Sequence, residues 1–339
     1  MDTLFATLYF AFNAVMPILL LILLGYFCRQ KGILTEGFIK PANKFNFRCG
    51  ISMLMFNNIY QLSSIRDISL NMVAFVFVGL AVLTVIGFGL CFVLTKQVYR
   101  RGVLLQAAFR SNYAIIGIPL AGALAGTAGS ALATTVQAPT IIFYNFTAVL
   151  ALSIFSDVEG SFSIRKVLKS IITNPLIISL IAGVLVLIAR DYIPRDSSGE
   201  LVFSISGNLP WLYTVITYLA RMSTPLALAI LGAQFSFDAI RDRRKELIGG
   251  VVMRIIGAPI IGFTLAFIAA HFGLITINTA SIAMMISLFG SPMAVSSVVM
   301  SSEMHADDIL CGQIVVWSSL LSMGTIFLQA VIFRSLGML

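Results

Sequence analysis

Apolar stretches recur along the whole chain, and the hydrophilic segments between them are no longer than loops. A helix needs about 20 apolar residues to cross the hydrocarbon core of a bilayer, and most of these stretches reach that length. Apolar residues make up 59% of the 339 residues and charged residues only 11%, less than half of the roughly 25% that is typical of a soluble domain. Such a chain cannot cover itself with polar surface in water. The pattern predicts an all-α membrane protein with several spanning helices.

Ten transmembrane helices account for the apolar stretches and leave only short connections. Span two is the least regular of them, since Lys44 and Arg48 lie in its first turns and must reach the interface or a wet cavity. The predicted spans are residues 4–28, 41–62, 71–95, 103–125, 129–155, 173–192, 209–235, 246–271, 278–301 and 307–335.

Basic residues are concentrated after spans one, three, five and seven, which hold 17 of the 22 when the adjacent helix turns are counted. Cytoplasmic loops carry the excess of Lys and Arg, so both termini are predicted to lie outside. Basic residues spread over short loops, with a net charge of +8, indicate membrane topology and no nucleic-acid partner. The 17 residues are Arg29, Lys31, Lys40, Lys44, Arg48, Lys96, Arg100, Arg101, Arg110, Arg165, Lys166, Lys169, Arg241, Arg243, Arg244, Lys245 and Arg254.

The ten spans divide into two units of five, residues 1–155 and 173–339, joined by a predicted cytoplasmic linker at 156–172. Because five is odd, the two units have opposite orientations, which is the inverted repeat of many secondary transporters. The fourth helix of each unit carries Gly-x-Pro-x-Ala, at Gly117–Ala121 and at Gly290–Ala294. Glycine and proline weaken a helix, and a broken membrane helix persists only against protein or a wet cavity. We predict that the two breaks face each other near the midplane and form a binding site.

Several segments resemble the auxin efflux carrier family, which comprises the plant PIN exporters and bacterial relatives often assigned to dicarboxylates. Asn112–Leu120 is similar to the family's Asn-Thr-Leu-x-x-Gly-Ile-Pro-Leu, and Val136-Gln137-Ala138 to its fifth helix, whose Gln lies in the substrate pocket. His305–Leu310 resembles the His-Pro-Asp-Ile-Leu that begins the last helix, and Asn43-Lys44-Phe45 the Asn-Arg-Phe of the second.

The resemblance implies an elevator-like exchange of a small organic anion in a homodimer. Spans one, two, six and seven would form a scaffold and dimer surface, and spans three to five and eight to ten a transport domain. The crossing of spans four and nine would hold the anion. The chain departs from the family at Ile51–Leu54, where Val-Pro-Leu-Leu is common, and it lacks the long loop of many plant members. The second departure favours a bacterial protein of the inner membrane.

The predicted substrate site combines the two breaks with nearby amides and hydroxyls. A helix that restarts after a break presents free amides and a partial positive charge, which favour an anion. The same amides are also common in bonds between membrane helices, and small serines also serve close packing. The site residues are Ser111, Asn112, Tyr113, Gly117, Ile118, Pro119, Leu120, Gln137, Gly290, Ser291, Pro292 and Met293, with Ser296 as a further hydroxyl. Second-rank candidates are Asn13, Asn46, Asn57, Asn58 and Asn145.

Four charged or titratable residues are candidates for anion attraction or coupling. Arg110 begins span four and either draws anions into a vestibule or marks topology. Arg254 lies deeper, where a charge is a functional hypothesis by default, although a snorkelling arginine is the alternative. His305 and Asp308, which we place with Glu303 and Asp307 at the outer end of spans nine and ten, form either a proton switch or a solvated loop.

Other classes are excluded or disfavoured by missing motifs. The sequence has no phosphate-binding Gly-x-x-x-x-Gly-Lys, no His-Glu-x-x-His and no Gly-x-Ser-x-Gly, so we expect neither an enzyme nor an ATP-driven pump. No metal or cofactor is expected. Two alternatives remain open: a sodium-coupled carrier of the bile-acid type, and a membrane sensor that binds a ligand without moving it.

Overall fold

The computed structural model describes residues 2–61, 70–155, 172–194, 201–234 and 242–339. The predicted linker 156–172 lies outside this part of the chain, except for its last residue. The described residues form helices joined by short loops, and an isolated β-bridge links Ser111 to Met293. The prediction of an all-α fold is therefore confirmed.

The helices follow the apolar stretches closely. Three short π-helical segments, Asn46–Ile51, Tyr113–Gly117 and Met253–Gly257, continue directly into the α-helix that follows each of them. The α-helices are α1 Asp2–Gln30, α2 Glu36–Phe45, α3 Ser52–Tyr60, α4 Leu70–Leu94, α5 Val98–Phe109, α6 Ile118–Thr135, α7 Gln137–Ile154, α8 Pro175–Arg190, α9 Ile205–Asn208, α10 Pro210–Gln234, α11 Arg244–Val252, α12 Ala258–His271, α13 Thr279–Gly290, α14 Ser296–Glu303 and α15 Asp308–Ser335.

Five stretches of the described chain are long and apolar enough to cross a membrane: 70–94, 113–135, 210–234, 244–271 and 308–335. Four of them match predicted spans three, seven, eight and ten to within two residues. Shorter apolar helices cover 16–30, 139–154, 175–190 and 279–290. The lengths and apolar composition of these helices are those of an integral membrane protein. The division of the chain into two inverted units of five helices stays a prediction.

The stretch 113–135 is a hairpin of two short arms. Ala125 (φ −134°, ψ 19°) and Gly126 (φ 61°, ψ −147°) leave the helical region, and only glycine adopts the second conformation without strain. The hydroxyl of Tyr113 donates to the carbonyl of Ala133 at 2.8 Å. Twenty residues of straight helix would separate these groups by about 30 Å. The chain therefore reverses at 125–126, where predicted span four ends and the predicted gap before span five begins.

The fourth span breaks earlier than its Gly-x-Pro motif predicts. Pro119 lies in the first turn of α6, where its missing N–H is tolerated. The preceding π-helical turn, in which the Ile118 N–H reaches the Tyr113 carbonyl, carries the helix past Gly117. The helical path is lost instead at Arg110–Asn112. The prediction of a break at Gly117–Pro119 is therefore wrong.

A third Gly-x-Pro, at Gly257–Pro259, is absorbed in the same way by the π-helical turn Met253–Gly257. Only Gly290–Pro292 interrupts its helix as predicted. Ser291, directly before the proline, is extended at φ −64° and ψ 146°, the conformation that a following proline favours. Ile118 stands in the same position before Pro119 but is helical, at φ −63° and ψ −49°.

Glycines allow helices α1 and α10 to pack with their backbones in contact. A Cβ on Gly25 would lie 2.0 Å from the carbonyl oxygen of Ala229, and a Cβ on Gly232 would lie 1.9 Å from that of Ile22. Small residues drive close approach between membrane helices, because van der Waals packing replaces the hydrophobic effect there. The first and seventh predicted spans therefore form one tightly packed pair.

We expect Gly25→Ala to lower the Tm by several degrees, since the added methyl meets main-chain atoms that cannot rotate away, at a cost of about 1–3 kcal/mol. The matched control is Gly89→Ala on α4, where a Cβ meets nothing within 4 Å. Melting of both variants in detergent, followed by intrinsic fluorescence, makes the comparison. An equal Tm for the two variants would contradict the close packing of α1 and α10.

Candidate functional site

Two interrupted helices cross in the middle of the structure, and their main chains pair there. The break after α5 comprises Arg110–Asn112, and the break after α13 comprises 291–295. The Asn112 N–H donates to the Pro292 carbonyl at 2.7 Å, and the Ala294 N–H donates to the Arg110 carbonyl at 3.3 Å. This pairing satisfies amides that neither helix can satisfy alone. The predicted meeting of the two breaks is thus present, with Ser111 opposite Met293 instead of proline opposite proline.

Arg254, in the first half of the eighth predicted span, joins the ends of the two helices that lead into the breaks. One terminal nitrogen, Nη1, donates to the Ala108 carbonyl at 3.1 Å, and Nη2 donates to the Phe289 carbonyl at 2.6 Å. Ala108 and Phe289 are each the next-to-last residue of their helix, α5 and α13. The side chain is fully buried, so the alternative of a snorkelling arginine does not hold.

Arg110 is the second buried arginine at the crossing, with 2% of its surface exposed. Its guanidinium donates to Gln106 Oε1 (3.1 Å), Asn145 Oδ1 (2.9 Å) and Ser296 Oγ (3.1 Å), and it contacts the sulfur of Met300. These acceptors are all neutral. No ion pair links Arg110 to a carboxylate among the described residues, and an uncompensated buried charge is costly.

A cavity of about 210 Å³ opens beside this arginine. Its walls include the first turns of the helices that restart after the breaks, Asn112–Ile115 and Ala294–Ser296. The side-chain amide nitrogen Nδ2 of Asn112, a residue that is 5% exposed, is buried without a hydrogen-bond partner among the described residues. The lining residues are Leu54, Met55, Asn58, Gln61, Arg110, Ser111, Asn112, Tyr113, Ala114, Ile115, Gln137, Ile141, Tyr144, Asn145, Thr224, Ala294, Val295 and Ser296.

The predicted site residues divide into two groups. Those that line the cavity are Arg110, Ser111, Asn112, Tyr113, Gln137 and Ser296, together with the second-rank Asn58 and Asn145. The others lie along the crossing helices or apart from the cavity: Gly117, Ile118, Pro119, Leu120, Gly290, Ser291, Pro292, Met293, Arg254, His305 and Asp308. The hydroxyl of Ser291 turns back to the Ser287 carbonyl, and Gly117 packs against α13 at Ser287. Ser291 and Gly117 therefore contribute to the packing of the crossing helices and do not line the cavity.

Sequence reasoning missed Tyr144 and Thr224 as members of the cavity wall. The phenol of Tyr144 bonds to the hydroxyl of Ser111 at 2.8 Å. A signal for Tyr144 was available, because Gln137, Ile141 and Tyr144 recur at the spacing of one helix face. No such signal marked Thr224, which reaches the cavity from α10 through tertiary packing.

Comparison with known proteins decides the family. A model of the family described as membrane transport protein matches residues 10–329, nearly the whole chain. The chain belongs to this membrane transport family, that of the auxin efflux carriers. It is also 24% identical, over 334 residues, to an uncharacterized transporter of Methanothermobacter thermautotrophicus, covering 94% of this chain and 97% of that protein. The chain is therefore a transporter and not an enzyme.

The acidic cluster of this transporter lies on the opposite face from the one that the sequence analysis assigned. Asp307 Oδ2 accepts from Arg100 Nε at 3.1 Å and from Arg243 Nε at 2.9 Å. Arg100 also pairs with Glu246 at 2.9 Å. These arginines follow the third and seventh predicted spans, so the junction between α14 and α15 shares the face of the basic loops. The placement at the outer end is wrong because the connection between the ninth and tenth spans is odd-numbered, like the basic loops.

His305 and Asp308 stand at this junction and not at the cavity. His305 has a positive φ of 59°, and Asp308 is the first residue of α15. Burial raises the pKa of the neighbouring Glu303 carboxyl, and this effect outweighs Lys44, Arg48 and His305, which lower that pKa. The region thus collects charges of both signs at one edge of the bundle.

We expect Asp307→Asn to lower the Tm by several degrees, because its carboxylate is 2% exposed and removing one partner from a buried ion pair costs about 3–5 kcal/mol. Asparagine retains the oxygen that accepts from the Leu310 N–H and begins α15, so the change isolates the charge. Glu36→Gln is the control, since Glu36 is 79% exposed in its pair with Arg29. Equal melting of both variants would contradict the role of Asp307.

Proposed function

We propose that this transporter moves small organic anions, with a carboxylate group bound in the cavity at the crossing of the fourth and ninth predicted spans. The observation that carries the proposal is Arg110, a buried guanidinium that borders the cavity and whose hydrogen bonds to the described residues all go to neutral groups. A carboxylate would supply its missing counter-charge. Transport itself is supported by the family and by the relative.

The main chain supports an anion as well. Two helices restart beside the cavity, at Tyr113 and at Ser296, and a helix start carries about half a positive charge with free amides. The side-chain amide nitrogen of Asn112, which has no partner among the described residues, adds a donor, and the side chains of Gln137 and Asn58 offer further amides. An anion in this cavity would therefore meet donors on several sides.

The size of the cavity favours a compact ligand. Its volume of about 210 Å³ falls below the roughly 300 Å³ at which pockets for drug-sized molecules begin. Leu54, Met55 and Ile141 give it an apolar side opposite the polar crossing. A small carboxylic acid with a short carbon skeleton matches both properties.

The cavity lies between two groups of helices. The residues that reach it from predicted spans two and seven are Leu54, Met55, Asn58, Gln61 and Thr224, and the remaining walls come from spans four, five and nine. An elevator in which the second group slides along the first would carry the ligand with the crossing, as the family resemblance implies. Rigid-body motion of one helix group against another is the usual form of alternating access in such folds.

We expect Arg110→Gln and Asn112→Ala each to raise the Kd for the transported carboxylate by roughly 10- to 100-fold, since a hydrogen bond to a charged group contributes about 1.5–3 kcal/mol. The ligand is first identified by its thermal shift in a panel of mono- and dicarboxylates, because a ligand that binds the folded state raises the Tm. Uptake of that compound into proteoliposomes then measures transport.

Arg101→Gln is the matched control, because Arg101 lies on α5, the helix that precedes Arg110, but stacks on the ring of Phe92 away from the cavity. Unchanged affinity in Arg110→Gln and Asn112→Ala would place the carboxylate elsewhere. Binding without uptake would favour the sensor alternative. Uptake that requires sodium at constant ionic strength would favour the sodium-coupled carrier.

A further inference from the structure

The two arginines at the crossing are compensated in different ways. Arg110 is bonded to neutral side chains and borders the cavity, whereas Arg254 does not border it and binds two main-chain carbonyls. Those carbonyls belong to the last turns of α5 and α13, on the opposite side of the breaks from the helix starts that face the ligand. Arg254 thus lies at the negative ends of both interrupted helices.

The partial negative charges at the ends of α5 and α13 balance the positive charge of the Arg254 guanidinium. A helix end carries about half a negative charge on its unsatisfied carbonyls, so two ends supply roughly the single charge that a guanidinium needs. The planar guanidinium can also donate to two acceptors at once in a fixed geometry, whereas a lysine ammonium is a single point charge on a flexible side chain. In many transporters with interrupted helices, a bound cation such as sodium is held by carbonyls at such ends.

We propose that Arg254 is a positioning residue that holds the two interrupted helices together as a permanently attached cation. It fixes the ends of α5 and α13, and so keeps the pairing of Asn112 with Pro292 and of Ala294 with Arg110 in register. The cavity, whose walls are those same break residues, keeps its shape as a result. The effect on transport rests on the proposed function, whereas the effect on the crossing does not.

The packing around Arg254 supports a role confined to the crossing. The residues that flank its acceptors are fully buried, among them Phe109 and Leu288. Gly262, about two helix turns beyond Arg254 on the same span, leaves space for the ring of Phe289, which a Cβ there would approach to 2.4 Å. The eighth predicted span therefore contacts the end of α13 at two points: Arg254 donates to the Phe289 carbonyl, and Gly262 makes room for the Phe289 ring.

The test is hydrogen–deuterium exchange of the purified full chain as wild type, Arg254→Ala and Arg254→Lys. In Arg254→Ala we expect faster exchange of amides in 108–117 and 289–298, with unchanged exchange where α1 packs on α10. Millimolar guanidinium chloride should restore the protection, and sodium chloride at the same ionic strength should not. Arg254→Lys should exchange at an intermediate rate, and it replaces the alanine variant if that one does not fold. Arg221→Ala, at an exposed position of α10, is the control.

Faster exchange throughout the chain, or no local change in either variant, would overturn the proposal, and so would equal rescue by sodium. Uptake of the carboxylate is measured beside exchange, and we expect Arg254→Ala to reduce it at least 10-fold and guanidinium to restore it. If the wild type transports no carboxylate, the proposed function fails, while the exchange data still decide the role of Arg254.

Discussion

Main-chain pairing between two interrupted helices is the interaction on which the rest of the structure depends. In hydrocarbon an amide without a partner costs several kcal/mol, so neither break could persist alone. The bonds from Asn112 to Pro292 and from Ala294 to Arg110 let each break satisfy the other. The hydroxyl of Ser318 on α15 accepts the Met293 N–H as well. Because the amides are satisfied across the crossing, the helix starts beyond it are free to face a cavity.

Two arginines of the same chemical type have separate tasks at this crossing. Arg254 meets the negative ends of α5 and α13, so its charge is balanced by main-chain dipoles inside the protein. Arg110 lies past the end of α5, next to the positive starts of the following helices, where only neutral groups bond to it. The first arrangement stabilises the fold, and the second leaves an attraction for an anion. The proposed transport activity depends on this difference.

Contacts that lie away from the cavity hold the helices around the crossing in place. Asp307 ties the starts of α5 and α15 to the loop before α11 through Arg100 and Arg243, so the three helices are joined at one face of the bundle. On the other side of the cavity, the glycines of α1 and α10 bring two helices into backbone contact. The cavity thus lies among helices that are held together at both places, and the elevator motion proposed above would move one group of them along the other.

The sequence by itself determined that the chain is an all-α membrane protein, where most helices begin and end, and that the fourth and ninth spans are interrupted. It also indicated Ser111, Asn112 and Gln137, because amides and hydroxyls beside a restarting helix can donate hydrogen bonds to an anion. It did not determine where the fourth span breaks. The same Gly-x-Pro is absorbed by a π-helical turn at Pro119 and Pro259 but opens the chain at Pro292. Only tertiary structure decided this, since a break is stable where another chain segment offers partners for its amides. For the same reason the place of Thr224 in the cavity wall and the two carbonyl acceptors of Arg254 became visible only once distant helices were brought together.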